Sequence, residues 1–138
     1  RLIELRRAHA IFRRTKWLTG KPLRGRGTPE VRWFKADGVD VDKREWQHAP
    51  MHAFELLLSN NARRRDRRGD AGETFMFLIN GHRETVSYTL PAHLRDDHVW
   101  RVAVDTRVAS GHITKVLKGQ SLTQIPLEAH SMLVLELA

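Results

Sequence analysis

The rhythm of apolar and polar positions changes once along this chain. In the opening "RLIELRRAHAIF", Leu2, Ile3, Leu5, His9 and Phe12 fall near one face of a 3.6-residue period, and Arg1, Arg6, Arg7, Arg13 and Arg14 crowd the rest. That pattern predicts a short amphipathic helix. No Ser, Thr, Asp or Asn stands before it as an N-cap, so it is expected to continue from a preceding segment, and to be the part most prone to fraying or self-association. After a glycine- and proline-punctuated stretch (Gly20, Pro22, Gly25, Gly27, Pro29), the period shortens to two or gives way to short unbroken apolar runs. These runs predict strands at 31–38 ("VRWFKADG"), 52–59 ("HAFELLLS"), 74–81 ("TFMFLING"), 84–91 ("ETVSYTLP"), 100–106 ("WRVAVDT"), 113–117 and 132–137 ("MLVLEL").

Two of these elements carry finer expectations. In 84–91, Val86, Tyr88 and Leu90 alternate with Thr85, Ser87 and Thr89, the mark of a half-buried strand. The Asn80-Gly81 pair before it is a turn signal, so 74–81 and 84–91 are expected to form a hairpin. In 100–106, Trp100, Val102 and Val104 should share one buried face. The segments between strands read as polar connections: 39–51 with one Trp, the charged loop 61–73, and "IPLEAHS" as a turn-rich approach to the last strand. Several short strands with frequent turn signals after one helix predict a mainly β fold, an antiparallel β-sandwich with consecutive strands as neighbours. The 138 residues are enough for one domain with a real core.

Composition narrows this picture. The net charge of +8 and a pI of about 10.8 raise the question of an anionic partner, but much of the charge lies in the opening helix and in "RRRDRR", Arg63 to Arg68. A single basic run reads as a solvated loop, and nucleic acid is not expected as a partner. Cysteine is absent, which excludes disulfides and thiolate metal sites and fits the cytoplasm. No apolar run has the length of a membrane span, and no signal-type apolar region is visible.

Candidate chemistry is sparse. His48 and His52 stand four apart, the spacing of two helical zinc ligands, but Pro50 between them disfavours a helix and no H-E-x-x-H pattern is present. His98 follows Asp96 and Asp97, yet no Ser stands in a G-x-S-x-G turn. Gly25 and Gly27 lack the Lys-Ser/Thr of a phosphate loop. Among the carboxylates, Asp37 and Asp40 read as turn formers, Asp105 as a turn residue or a cap for backbone donors, and nothing pairs any of them with Asp42 or Glu84 for glycosidase-type chemistry. No catalytic residue, cofactor or metal is expected. The four tryptophans are the remaining feature. Trp100 belongs to the core by its alternation, and core or interface is also expected for Trp17 and Trp33. Trp33 and Phe34 must face opposite sides of their strand. Trp46 lies in a polar segment, open to either role. An exposed indole stacks on a sugar ring or a base, which makes Trp33 and Trp46 the candidate carbohydrate contacts.

The order of motifs is similar to a known family. "LIELRRAHAIFRRTKWLTGKP", "PEVRWFKADGVDVDKREWQ", "FMFLINGHRETVSYTLP", "WRVAVDT" and "PLEAHSMLVLEL" together resemble the C-terminal region of bacterial glycogen debranching enzymes, isoamylase-type members of the α-amylase superfamily. This chain departs from the family pattern at Gly81, at Ala10 after His9, and in its arginine-rich loop. The resemblance implies a sandwich of the α-amylase C-terminal type at 31–138, a linker at 17–30, and in 1–16 the end of the last helix of a (β/α)8 barrel. It implies that the barrel hydrolyses α-1,6 branch linkages, that its carboxylates lie outside this sequence, and that the barrel of its own parent chain is the partner of this domain. The role implied here is stabilising the barrel, with contact to an α-glucan such as glycogen or maltooligosaccharide. The alternatives are a stand-alone carbohydrate-binding module using Trp33 and Trp46, and a basic nucleic-acid-binding domain using the arginine run.

Overall fold

A computed structural model describes residues 1–15, 17–18, 20, 29–48 (the backbone alone for His48), 51–60 and 73–138. The expected linker lies mostly outside these residues, as do Gly25, Gly27 and the arginine run. Among the described residues, eight strands form two antiparallel sheets: β1 Val31–Lys35, β2 Ala53–Ser59, β3 Thr74–Asn80, β4 Val86–Tyr88, β5 Val99–Asp105, β6 Val116–Lys118, β7 Ile125–Leu127 and β8 Ser131–Leu137. The large sheet has the order β1-β2-β3-β8-β5-β6, and β4 pairs with β7 in a second, small one. Three short α-helices accompany them in the described residues: α1 Leu2–Ala8, α2 Lys43–His48 and α3 Ala92–Arg95.

The period of two sorts the large sheet into two apolar faces. Phe34, Leu57, Leu78, Met76, Leu133, Leu135, Trp100 and Val102 point inward and are buried with Tyr88, Leu90, Leu122, Ile125 and Leu127 of the small sheet and its flanks. Trp100 is fully buried and its indole N–H donates to the Leu94 carbonyl at 2.7 Å, so its one polar atom is satisfied inside the core. The outward face of the same sheet is also apolar. There Phe75, Ala103, Val104 and Val134 are buried under Leu5 and Ile11 of the leading segment.

Several expectations are corrected here. The hairpin between 74–81 and 84–91 does not form: β3 is already paired on both edges, to β2 and β8, and β4 pairs with β7 instead. Neither Asn80 nor Gly81 has the positive φ that a tight type I′ turn needs. Instead the Asn80 amide reaches the carbonyls of Glu84, Leu127 and Glu128, each at 2.9 Å, and its oxygen accepts the His82 N–H at 2.8 Å. The turn signal therefore marks a crossing from one sheet to the other, pinned by Asn80. Val104 does not share a face with Trp100 and Val102: the β5–β8 register shifts between Val102 and Val104, a bulge that rotates Val104 outward to Phe75 and Val134. The strand expected at 113–117 is displaced to Val116–Lys118, and "IPLEAHS" supplies the strand β7 rather than only a turn. The polar connection 39–51 contains α2, whose start is a capping box. Asp42 accepts the N–H groups of Arg44 and Glu45 at 2.7 and 2.8 Å, while Glu45 accepts the Asp42 N–H at 2.9 Å.

One core position breaks the polarity rule. Glu55 of β2 lies between Phe34 and Leu78 in register, is fully buried, and neither carboxylate oxygen has a hydrogen-bond partner. Burial pushes its carboxyl up to about 9, helped by Asp37, so the side chain is a neutral acid at pH 7.

Candidate functional site

The groups that suggested chemistry in sequence are engaged in structural work. Asp105 accepts the Arg107 N–H at 3.0 Å and its guanidinium at 2.9 and 2.7 Å, which holds the carboxyl below its usual range and makes Asp105 the expected turn-binding residue. Asp37 accepts the Val39 N–H at 3.0 Å, the turn role expected of it. Asp40, expected in a turn, is instead joined to Arg32 at 2.7 Å and bridges Phe34 across the strand. His98 bonds the Asp96 carbonyl at 2.6 Å. The rings of His52 and His82 meet edge to face at 5.5 Å, whereas the side chain of His48 is outside the described residues. Among the described residues, no three His, Asp or Glu side chains are grouped to hold a metal ion. No helix of the described chain is long and apolar enough to cross a membrane.

What remains is the outer face of the large sheet, which has two parts. At the β3-β8-β5 side lies the leading segment. Helix α1 stops at His9, which takes an extended conformation, and a 3-10 helix Ala10–Arg13 follows. Glu73, just before β3, organises this joint: one oxygen lies 3.2 Å from both the Ala10 N–H and the His9 Nδ1, and the other accepts the Ile11 N–H at 2.8 Å. A carboxylate at the start of a helical turn takes up backbone donors that would otherwise be orphaned. His9 also stacks edge-on against Phe75 at 4.9 Å, Arg14 pairs with the buried Glu30 at 2.7 Å, and Arg1 donates to the Ala103 carbonyl at 3.2 Å. Leu5, His9 and Phe12, three of the five residues of the expected apolar helix face, thus pack on the sheet of this chain itself. Leu2 and Ile3 do not: they are 60% and 68% exposed. Trp17, expected in core or interface, is 93% exposed.

At the β1 edge lies an aromatic group. Trp33 faces outward, opposite the buried Phe34, as alternation requires. Its ring packs against Phe54 at 5.6 Å and meets Trp46 at 5.1 Å with the two indoles 89° apart. The structure therefore brings Trp33 and Trp46 together. Trp46 stands on α2 and is 46% exposed. Lys35 and Glu45 pair beside it at 3.1 Å, a bond that raises the Lys35 ammonium above its ordinary value. Phe54, Lys35 and Glu45 were not singled out in sequence. The signal for Phe54 was its place in the alternation of β2, and that for Glu45 its spacing from Asp42.

Comparison with known proteins fits this architecture. The family model of the isoamylase C-terminal domain matches residues 30–136. A glycogen operon protein GlgX homolog from Mycobacterium tuberculosis is 26% identical over 135 residues, covering 95% of this chain and 18% of that protein. An isoamylase from Flavobacterium is 24% identical over 143 residues, covering 98% of this chain and 18% of the relative. An isoamylase from Pseudomonas amyloderamosa is 25% identical over 124 residues, with 84% and 14% covered. The chain thus spans under a fifth of the length of these curated relatives. The match to the family model over nearly all of the β-sandwich establishes that this chain belongs to the isoamylase C-terminal domain family.

Proposed function

We propose that this chain is the non-catalytic accessory domain of a cytoplasmic debranching glycoside hydrolase. The catalytic body of that enzyme would hydrolyse α-1,6 branch linkages in glycogen or related α-glucans. The domain's role in this reading is to pack against the body and stabilise it. The observation that carries it is the two-sided leading segment. Leu5 and Ile11 are buried on the large sheet and locked there by Glu73, while Leu2 and Ile3 present apolar surface away from it. A helix fixed to its own domain on one side and apolar on the other transmits position rigidly to whatever covers it. The relatives' printed names, glycogen operon protein and isoamylase, supply the substrate class.

The test is direct. The chain is incubated with glycogen and with maltooligosaccharide, and new reducing ends are measured. None are expected beyond a blank; release of reducing ends by the chain alone would overturn the non-catalytic reading.

A second reading, contact with the glucan itself, is favoured by the exposed Trp46. It applies equally to a domain attached to a body and to a stand-alone carbohydrate-binding module.

A further inference from the structure

We infer that the β1 edge of the large sheet carries a stacking subsite for an α-1,4-linked glucan, with the Trp46 indole as platform, Trp33 as its support and the Lys35–Glu45 pair as its polar rim. The subsite itself stands on geometry; the identity of the sugar rests on the debranching reading above.

The first argument is that Trp46 is immobilised without being buried. Its helix has six residues, too short to be stable unaided. It is held by the Asp42–Glu45 capping box at its start and by the Lys35–Glu45 bond to β1. Glu45 serves both, through different oxygens. The edge of one indole then meets the face of the other, and Trp33 is itself backed by Phe54. A large aromatic ring fixed in orientation, with nearly half of its surface in solvent, is preorganised for a flat partner.

The second argument is the charge of the surroundings. Lys35, on the same face of β1 as Trp33, is matched by Glu45, and the Arg32 charge on the other face is matched by Asp40. Such a rim gives no net field to attract a polyanion. It does offer paired donors and acceptors to a neutral ligand. A pyranose ring has that composition: a face of C–H groups for the indole and a girdle of hydroxyls for the ammonium and the carboxylate.

The third argument is position. The buried part of the leading segment's contact lies on Phe75, Val104 and Val134 of β3, β5 and β8, and its margin reaches Leu58 of β2, whereas Trp46 stands on α2 beyond β1 and takes no part in that cluster. Leu2 and Ile3 and the Trp46 platform are thus separate features of the chain.

The experiment is a titration of the chain with maltoheptaose, followed by tryptophan fluorescence, with cellohexaose as the β-linked comparison. Saturable binding of maltoheptaose is expected. Trp46→Ala should weaken it by about tenfold or more, the loss of one stacking contact. Trp46→Tyr, which keeps a ring, should retain most of the affinity, and Lys35→Met should lose severalfold. Trp17→Phe should leave it unchanged. An unchanged thermal midpoint in Trp46→Ala shows that the fold survives. The subsite is overturned if maltoheptaose gives no saturable change, if Trp46→Ala binds like the parent, or if cellohexaose binds equally well. None of these results bears on reducing-end release or on docking through Leu2 and Ile3, so the subsite and the accessory role fail separately.

Discussion

The carboxylate of Glu73 accepts the backbone N–H of Ile11 at 2.8 Å across a sequence separation of 62 residues, and this contact decides where the leading helix lies. It fixes the leading segment onto the outer sheet face, with Leu5 and Ile11 beneath it. Replacing Glu73 with Ala removes the acceptor for Ala10 and Ile11 and the partner of His9. The expected cost is about 1–2 kcal/mol, that of a lost helix cap. Hydrogen exchange should show lost protection at Ile11 and neighbouring amides, with the amides of β3 and β8 unaffected. Retained protection at Ile11 would mean that burial alone holds the segment.

The buried Glu55 makes stability depend on pH in a defined direction. Its folded value of about 9 lies above the ordinary carboxylate value of 4.5 expected for the unfolded chain, so the folded state binds the extra proton between these limits. The contribution of the neutral acid is fully present below the unfolded value and is lost progressively as pH rises, levelling above the folded one. The slope is at most about 1.4 kcal/mol per pH unit. Chemical denaturation of the chain and of Glu55→Gln between pH 5 and pH 9 isolates it: the wild-type curve should fall more steeply. Identical slopes would show that Glu55 does not change protonation on folding. Glu55→Leu should be more stable than wild type at pH 8, since it removes two unpartnered buried oxygens.

Gly38 ties the β1 turn to the segment before α3. Its φ is +80°, and a Cβ built there would stand 2.5 Å from the Thr89 carbonyl oxygen and 3.0 Å from the Pro91 nitrogen. Both obstacles are backbone and cannot swing away. Gly38→Ala should therefore lose about 2–4 kcal/mol, combining positive-φ strain with a forced displacement. A thermal midpoint within a degree of wild type would contradict this.

Asn80 carries the crossing between sheets. Asn80→Ala removes the amide donor from the Glu84, Leu127 and Glu128 carbonyls, of which Glu128 keeps the Ser131 hydroxyl, and should cost about 2–3 kcal/mol. Asn80→Asp should be no better, because a carboxylate has no N–H to give them. Denaturant midpoints of the two variants check both statements.

Much of the large sheet was legible because a strand with one or two buried faces writes its period into the residues: β1, β2 and β3 fall within the expected runs, and β5 and β8 begin one residue before theirs. Pairing was less legible, because partner choice is a long-range property. The Asn80-Gly81 signal was read as a hairpin, yet both edges of β3 are taken by strands far away in sequence. The bulge at Ala103 leaves no local mark in "WRVAVDT", so Val104 was placed on the wrong face. In the candidate site, the opposition of Trp33 and Phe34 followed from alternation but not which of them faces out, and the posture of Trp46 depends on a short helix with no apolar period. Its legible trace was the three-residue spacing of Asp42 and Glu45. The apolar residues of the opening segment were legible, but not as one helix face: the helix ends at Ala8, and Leu5, His9 and Phe12 pack on this sheet from two separate turns. Their division between this sheet and the exposed side carrying Leu2 and Ile3 required the structure.

The accessory role stands on that division, and calorimetry of the longer polypeptide that it requires tests it most directly. The double substitution Leu2→Asp, Ile3→Asp removes the outward apolar surface while leaving Leu5 and Ile11 in place. In the chain alone the double variant should melt within about a degree of wild type, as expected for exposed positions. In the longer polypeptide, wild type should melt as one coupled unit, and the variant should show a separate, earlier transition of the catalytic body. If the variant polypeptide melts as wild type does, the leading helix does not hold the body, and the proposed role is wrong.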